Sequence, residues 1–178
     1  RYKITADSTC DLGRELIEQY DIGILPLYVQ LGEKTYRDGI DIQPDDIYSH
    51  VAAGGGLATT AAVNLADYVR AFTELSAKND FVIHVCISMD FSCCYQNAKL
   101  AAADFDNVYV VDSRNLSTGH GLVVLEAERM ARAMGKTIFQ LPLTEQQLSG
   151  MEARVGKAVF SEWKDQRKCF KALKEERL

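Results

Sequence analysis

The chain has 178 residues, of which 47% are hydrophobic and 25% charged, a composition typical of a globular protein with a buried core. Its formal net charge is -5 and its Lys and Arg residues form no basic stripe, which argues against a nucleic-acid partner. The longest apolar runs fall far short of the ~20 residues of a membrane-spanning helix. No signal-peptide pattern is seen, so we expect a protein that is not integral to a membrane.

The first part of the chain alternates strand and helix patterns. Lys3 to Ala6 is a short extended run, and the segment after Asp11 carries apolar residues at helical spacing, which predicts a helix. Ile22 to Leu31 is rich in β-branched and aromatic residues and predicts a second strand. Asp38-Gly39 predicts a turn, and Pro44 predicts the first residue of a helix that runs to Val51.

The alternation continues beyond a glycine-rich loop. The predicted elements are a helix from about Leu65 to Ala77, a strand from Phe81 to Ile87, a helix from about Phe91 to Ala103, a strand from Val108 to Val111 and a helix from Gly119 to Met134. Strands that alternate with helices predict an α/β fold in which parallel-rich sheets are flanked by helices.

The cysteines indicate a reducing environment. They are Cys10, Cys86, Cys93, Cys94 and Cys169. An odd number without C-x-x-C spacing, beside only three histidines, predicts neither a disulfide framework nor a zinc site. We therefore expect reduced thiols, no metal and a cytoplasmic location.

The same dipeptide follows two of the predicted strands. Asp7-Ser8 comes after the first strand, and Asp112-Ser113 comes after the strand that ends at Val111. Asp and Ser in such places commonly bond the main chain of a turn or cap the next helix. We expect these residues to have structural roles.

Two adjacent cysteines lie where a strand pattern changes into a helix pattern. Cys93 and Cys94 are candidate nucleophiles, because a helix N-terminus lowers the pKa of a thiol. A base is harder to identify in the sequence. His84 lies inside an apolar strand, His120 follows a strand end, and His50 lies on a predicted surface helix, so each is expected to be a packed or solvated imidazole.

Hydroxyl groups near predicted helix starts suggest an anion site. Ser92 lies at the start of the helix that follows the strand ending at Ile87, and Thr59 and Thr60 lie shortly before another predicted helix. A hydroxyl beside the free N–H groups of a helix start can bind a carboxylate without Lys or Arg. The alternative is that these residues only cap their helices.

Several short motifs occur in order along the chain. They are Thr5-Ala-Asp-Ser-Thr9, Leu25-Pro-Leu27, Tyr36-Arg-Asp-Gly-Ile-Asp-Ile42, Ala58-Thr-Thr60, Phe91-Ser-Cys-Cys-Tyr-Gln-Asn-Ala98 and Val111-Asp-Ser-Arg114 with Gly119-His-Gly121. From Lys3 to about Lys136 the sequence thus closely resembles the DegV family. These bacterial proteins bind fatty acids, and some serve as the lipid-presenting subunit of a fatty acid kinase.

The resemblance implies two α/β domains with a fatty acid between them, which we assign to residues 1–78 and 79–178. It also implies that the carboxylate of a long-chain fatty acid is held by a threonine and a serine that correspond to Thr60 and Ser92 here. The neighbours of this site would be Thr59, Cys93 and Cys94. The implied protein partner is the catalytic subunit of a fatty acid kinase, and no cofactor other than the bound fatty acid is expected.

The sequence departs from the family pattern in three places. The family usually has Gly and Thr at Cys93 and Cys94, and Ser-Gln-Pro-Ser at Ala61-Ala-Val-Asn64. Family members are also much longer than the matched part, and the resemblance fades after Lys136. We therefore expect a shortened or incomplete second half, with an atypical helical tail from about residue 137.

The sequence leaves three interpretations open. The first is a DegV-like protein, not itself an enzyme, that sequesters a long-chain fatty acid and presents its carboxylate to a kinase. The second is a small cysteine-dependent hydrolase or acyltransferase that uses Cys93 or Cys94, which requires a basic group beside a thiol of lowered pKa. The third is a related scaffold that has lost its ligand.

Overall fold

The computed structural model describes residues 1–134. The strands are β1 (Tyr2–Asp7), β2 (Gly23–Leu25), β3 (Tyr28–Leu31), β4 (Lys34–Arg37), β5 (Thr59–Ala61), β6 (Phe81–Cys86) and β7 (Val108–Asp112). The helices are α1 (Arg14–Gln19), α2 (Pro44–Ala52), α3 (Leu65–Lys78), α4 (Cys94–Ala102) and α5 (Ser117–Met134). The predicted helical tail from about residue 137 lies outside the described residues.

A four-stranded parallel sheet forms the centre of the fold, in the order β2-β1-β6-β7. Its inner strand β6 reads Phe-Val-Ile-His-Val-Cys, the near-continuous apolar run of a strand that is buried on both faces. Alternate residues of β6 enter two separate core clusters: Val82 packs with α3 and α4, whereas Ile83 and Val85 pack with α5. The predicted α/β class, with a parallel sheet flanked by helices, is confirmed.

A second sheet is antiparallel and has the strand order β4-β3-β5. The single strand predicted from Ile22 to Leu31 was wrong, because that segment contributes β2 to one sheet and β3 to the other. Pro26 separates the two strands, since proline has no N–H to donate to a sheet. The next residue, Leu27, donates its N–H to Ser8 Oγ at 3.1 Å instead of to a strand.

The predicted domain boundary between residues 78 and 79 falls in the connection from α3 to β6. β1, on one side of that boundary, pairs with β6, on the other, from Tyr2↔Phe81 to Ala6↔Val85. The parallel sheet is therefore continuous across this position, and a division there would separate its two central strands.

Helix α5 lies against the 3-10 turn Ser8–Cys10 that follows β1. A Cβ at Gly121 would come within 2.5 Å of the Cys10 carbonyl oxygen, so the close approach requires glycine at this position. None of the helices within residues 1–134 is both long enough and apolar enough to cross a membrane.

Candidate functional site

The loop between β6 and α4 (residues 87–93) is held at its start by two strand-end carboxylates. Asp7 Oδ2, at the end of β1, accepts a hydrogen bond from Ile87 N at 2.9 Å. Asp112 Oδ1, at the end of β7, accepts one from Met89 N at 3.2 Å. Because parallel strands end at the same edge of a sheet, the strands on either side of β6 can fix the loop that leaves it. The structural roles predicted for the two aspartates are confirmed.

Asp7 is the centre of a buried polar network. Its Oδ1 accepts the Tyr68 hydroxyl at 2.6 Å and lies 3.2 Å from Nε2 of His84, and both side chains are fully buried. An ionised carboxylate only accepts, so Nε2–H of His84 is the donor, while Nδ1 lies 2.9 Å from the Thr5 hydroxyl. Burial raises the pKa of Asp7, but hydrogen bonds from His84, Tyr68 and Ile87 outweigh it and hold the pKa below its ordinary value.

Three potential metal donors lie within this network. One donor atom each from Asp7, His84 and Cys86 falls within 4.8 Å of the others. However, both ring nitrogens of His84 and both oxygens of Asp7 already have partners inside the protein. The arrangement is that of a satisfied core network, in agreement with the packed imidazole predicted for His84.

Four further main-chain N–H groups of the loop also donate within the protein. Ser88 N donates to Asn115 O at 3.0 Å, and Asp90 N donates to Ser88 Oγ at 3.2 Å. Phe91 N and Ser92 N both donate to the carbonyl oxygen of Ser88, at 3.0 and 3.3 Å. The main-chain N–H groups from residue 87 to residue 92 are therefore committed to the fold, and an anion at this loop would meet side-chain donors first.

Ser92 lies two residues before the start of α4. The helix begins at Cys94, three residues later than predicted, with Cys93 as its N-cap. Ser92 Oγ accepts a hydrogen bond from Cys94 N at 3.2 Å and donates to Cys94 Sγ at 3.2 Å. The half-buried serine thus lies at a helix start as predicted, and its hydroxyl proton is directed at sulfur, a weak acceptor.

Thr59 and Thr60 do not lie at a helix start, so the predicted helix-start site at these two residues is wrong. Both belong to β5, an edge strand, where Thr60 pairs with Val29. α3 is capped instead by Asn64, whose Oδ1 accepts Asp67 N at 2.9 Å. Both threonines are exposed, so their hydroxyl groups are accessible to a ligand from the edge of the sheet.

Val63 links the segment after β5 to α4. Its carbonyl oxygen accepts a hydrogen bond from the Asn97 side-chain amide at 2.9 Å. Val63 and Cys94 are buried in the same core cluster. The chain segments that carry Thr60 and Ser92 are therefore fixed to each other by this junction.

Asn97, which anchors Val63, was not predicted from the sequence as a site residue. It is a polar residue in a helix whose neighbouring positions Cys94, Ala98 and Ala101 are all buried. A polar side chain beside a buried helix face usually has a specific partner. That placement was the signal that could have identified Asn97 as an anchor.

Cys94 does not have the environment of a nucleophile. It is fully buried, and burial together with the Asp7 carboxylate raises the pKa of its thiol. His84 bonds within the Asp7 network, and Nε2 of the buried His120 bonds the Val85 carbonyl oxygen at 3.0 Å. Cys93 is exposed, but His84 and His120 both form hydrogen bonds with other groups, so these bonds do not position either imidazole as a base for Cys93.

Exposed apolar side chains flank both predicted head-group residues along the chain. Phe91, next to Ser92, is 66% exposed, and Met89 in the same loop is 41% exposed. Leu57, three residues before Thr60, is 84% exposed. Such side chains gain free energy when an apolar ligand or a neighbouring chain segment covers them.

Comparison with known proteins identifies relatives of this chain. The model of the DegV family, which is described as a family of uncharacterised proteins, matches residues 1–141. A DegV domain-containing protein of Clostridium perfringens is 36% identical over 132 residues, which cover 73% of this chain and 47% of the relative. The chain thus spans about half the length of the curated relatives it matches.

Solved structures include similar folds with known ligands. A DegV family protein of Thermus thermophilus, described for its fatty acid binding, matches with a TM-score of 0.73 and 32% identity over 87% of this chain and 53% of its own. A stearic acid-binding protein of Eubacterium ventriosum matches with a TM-score of 0.70 and 30% identity, over 86% of this chain and 53% of its own.

Proposed function

Because the chain belongs to the DegV family, we propose that it binds a long-chain fatty acid and holds the carboxylate with the hydroxyls of Thr60 and Ser92. The observation that carries this proposal is the junction at Val63, which fixes the segment after β5 to the start of α4. The fatty acid binding described for related structures supports the class of ligand.

Neutral hydroxyl groups suit a carboxylate that must remain reactive. Ser92 contributes a hydroxyl and the nearby N-terminus of α4, whose dipole favours a negative charge. Thr60 contributes a second hydroxyl from an exposed strand edge. A carboxylate bound in this way has no Lys or Arg counter-ion, so its oxygens stay available to an electrophile.

The acyl chain supplies most of the affinity. At roughly 0.8 kcal/mol per buried methylene, a dozen methylenes contribute on the order of 10 kcal/mol before ordering costs are subtracted. Exposed Phe91, Met89 and Leu57 are apolar surfaces that such a chain would cover. The apolar surface therefore selects molecules with a long aliphatic chain, and the hydroxyl pair selects those that carry a carboxylate.

We further propose that the protein is a non-catalytic partner that presents the bound carboxylate to a fatty acid kinase in the bacterial cytoplasm, in phospholipid metabolism. The raised pKa of the Cys94 thiol supports binding over cysteine-dependent catalysis. The four cysteines of the described part of the chain are free thiols, which suits a reducing compartment.

A double variant tests the assignment of the head-group residues. Replacing both Thr60 and Ser92 with alanine removes two donors to a charged acceptor, and we expect a loss of about 2–4 kcal/mol, or roughly 30- to 1,000-fold in the Kd for palmitate. A matched control is Thr35→Ala with Ser49→Ala, an exposed edge-strand threonine and an exposed helix serine. Unchanged palmitate affinity in Thr60→Ala/Ser92→Ala would refute the site.

A further inference from the structure

The Cys94 thiol lies where the two proposed head-group segments meet. Its Sγ accepts a hydrogen bond from the Ser92 hydroxyl at 3.2 Å, and Val63 is buried in the same core cluster as Cys94. Ser92 is two residues before Cys94, and Val63 is three residues after Thr60. Cys94 therefore bonds one segment and is buried in the same cluster as the other, and Asn97, one turn further along α4, donates to the Val63 carbonyl oxygen.

The oxygen and the proton of the Ser92 hydroxyl have different hydrogen-bond partners at Cys94. The oxygen is fixed, because Cys94 N donates to it at 3.2 Å. The proton is held only by sulfur, a weak acceptor, which a carboxylate oxygen can replace by rotation about a single bond. Ser92 can thus donate to an arriving carboxylate while its oxygen keeps the bond from Cys94 N.

We propose that Cys94 is a positioning residue for carboxylate recognition: its N–H fixes Ser92 Oγ, and its thiol holds the hydroxyl proton in a bond that only a stronger acceptor displaces. This inference rests on the proposed function. It predicts that Cys94 contributes to the choice of an ionised acid over an uncharged ester of the same chain, and contributes little to the binding of the chain itself.

The charge state of the thiol agrees with this role. Burial and the nearby Asp7 carboxylate raise the pKa of Cys94, so the side chain stays a neutral thiol near neutral pH. A thiolate at this position would repel a carboxylate and would hold the Ser92 proton more strongly. The neutral sulfur does neither.

The test compares palmitate with methyl palmitate, which share the same chain and differ in the charge of the head group. For Cys94→Ser, whose hydroxyl is a stronger acceptor for the Ser92 proton, we expect the affinity ratio of acid to ester to fall about fivefold through weaker palmitate binding, because the carboxylate must displace about one full hydrogen bond. Cys94→Ala removes the competing acceptor and keeps the main-chain N–H that fixes Ser92 Oγ, so we expect a ratio no lower than that of the wild type. The matched control is Cys86→Ser, which places a hydroxyl at another fully buried thiol of the same cluster and leaves the ratio unchanged.

The results for the Cys94 variants test the positioning role, and binding by the wild-type protein tests the proposed function. A wild-type ratio in Cys94→Ser, or an equal loss for acid and ester, would overturn the positioning role. A ratio in Cys94→Ala as low as that in Cys94→Ser would overturn it as well. Cys94→Thr, which also supplies a hydroxyl, replaces the serine variant if that variant does not fold, and Cys94→Val, which fills the space without an acceptor, replaces the alanine variant. A wild-type protein that binds neither ligand would instead contradict the proposed function.

Discussion

Replacing Asp7 with alanine would remove the acceptor on which the candidate site is built. The fully buried carboxylate accepts the Tyr68 hydroxyl at 2.6 Å and Ile87 N at 2.9 Å, and it lies 3.2 Å from Nε2 of His84. Alanine leaves these three donors buried without a partner. Since Ile87 begins the loop that leads to Ser92, the change affects both stability and ligand binding.

The size of the effect follows from the number of donors. A buried donor without a partner costs about 1–3 kcal/mol, so the loss of all three predicts a destabilisation of about 4–6 kcal/mol, allowing for some relaxation around Asp7. This is a large part of the roughly 5–15 kcal/mol by which domains are stable. Asp7→Asn keeps one acceptor and is expected to cost less.

The pH dependence of unfolding provides a second observable. The pKa of Asp7 is lower in the folded protein than in the unfolded chain, where it is about 3.9. As the pH falls, the unfolded chain binds this proton before the folded protein does. The stability that Asp7 contributes is therefore fully present above the unfolded-state pKa and is lost as the pH falls through the folded-state pKa. Asp7→Asn should lack this part of the acid-induced loss of stability.

Urea unfolding at neutral and acidic pH measures both effects. Asp104→Ala, a substitution of an exposed aspartate in the loop after α4, is the control and should stay within about 0.5 kcal/mol of the wild type. If Asp7→Ala cost no more than this control, the network would not support the fold as described. An unchanged acid profile in Asp7→Asn would also contradict the argument.

Two further predictions concern exposed side chains. Phe91→Ser should weaken palmitate binding about 5- to 30-fold because the acyl chain loses apolar contact. Leu100→Ser, at a similarly exposed apolar position in α4, is the control and should not weaken it. Equal palmitate affinities of the two variants would exclude Phe91 from the acyl site. In a Cys169→Ser background, Cys93 should react with a thiol reagent far faster than the buried thiols of Cys10, Cys86 and Cys94. Cys93→Ser should abolish the fast phase, and a fast phase that persists would contradict the burial of these three thiols.

The sequence predicts the parallel core well because its signals are local. The apolar run of β6 and the helical spacing in α3 and α5 indicate an α/β fold without knowledge of distant contacts. The error at Pro26 arose because β-propensity extends across the proline, while the change of sheet depends on tertiary pairing.

The candidate site is less predictable because its support is non-local. The bond from Ile87 to Asp7 joins residues 80 positions apart, and no spacing rule indicates it. Thr60 was placed near a helix start because the cap at Asn64 was not recognised. The assignment of Thr60 and Ser92 as a pair came from the family resemblance, to which the structure adds the junction at Val63.

Native mass spectrometry of the purified chain, followed by solvent extraction and identification of the released molecule, tests the central claim most directly. The account predicts one long-chain fatty acid per chain, or stoichiometric uptake when palmitate or oleate is added. A protein that carries no lipid and takes up neither acid would contradict the account.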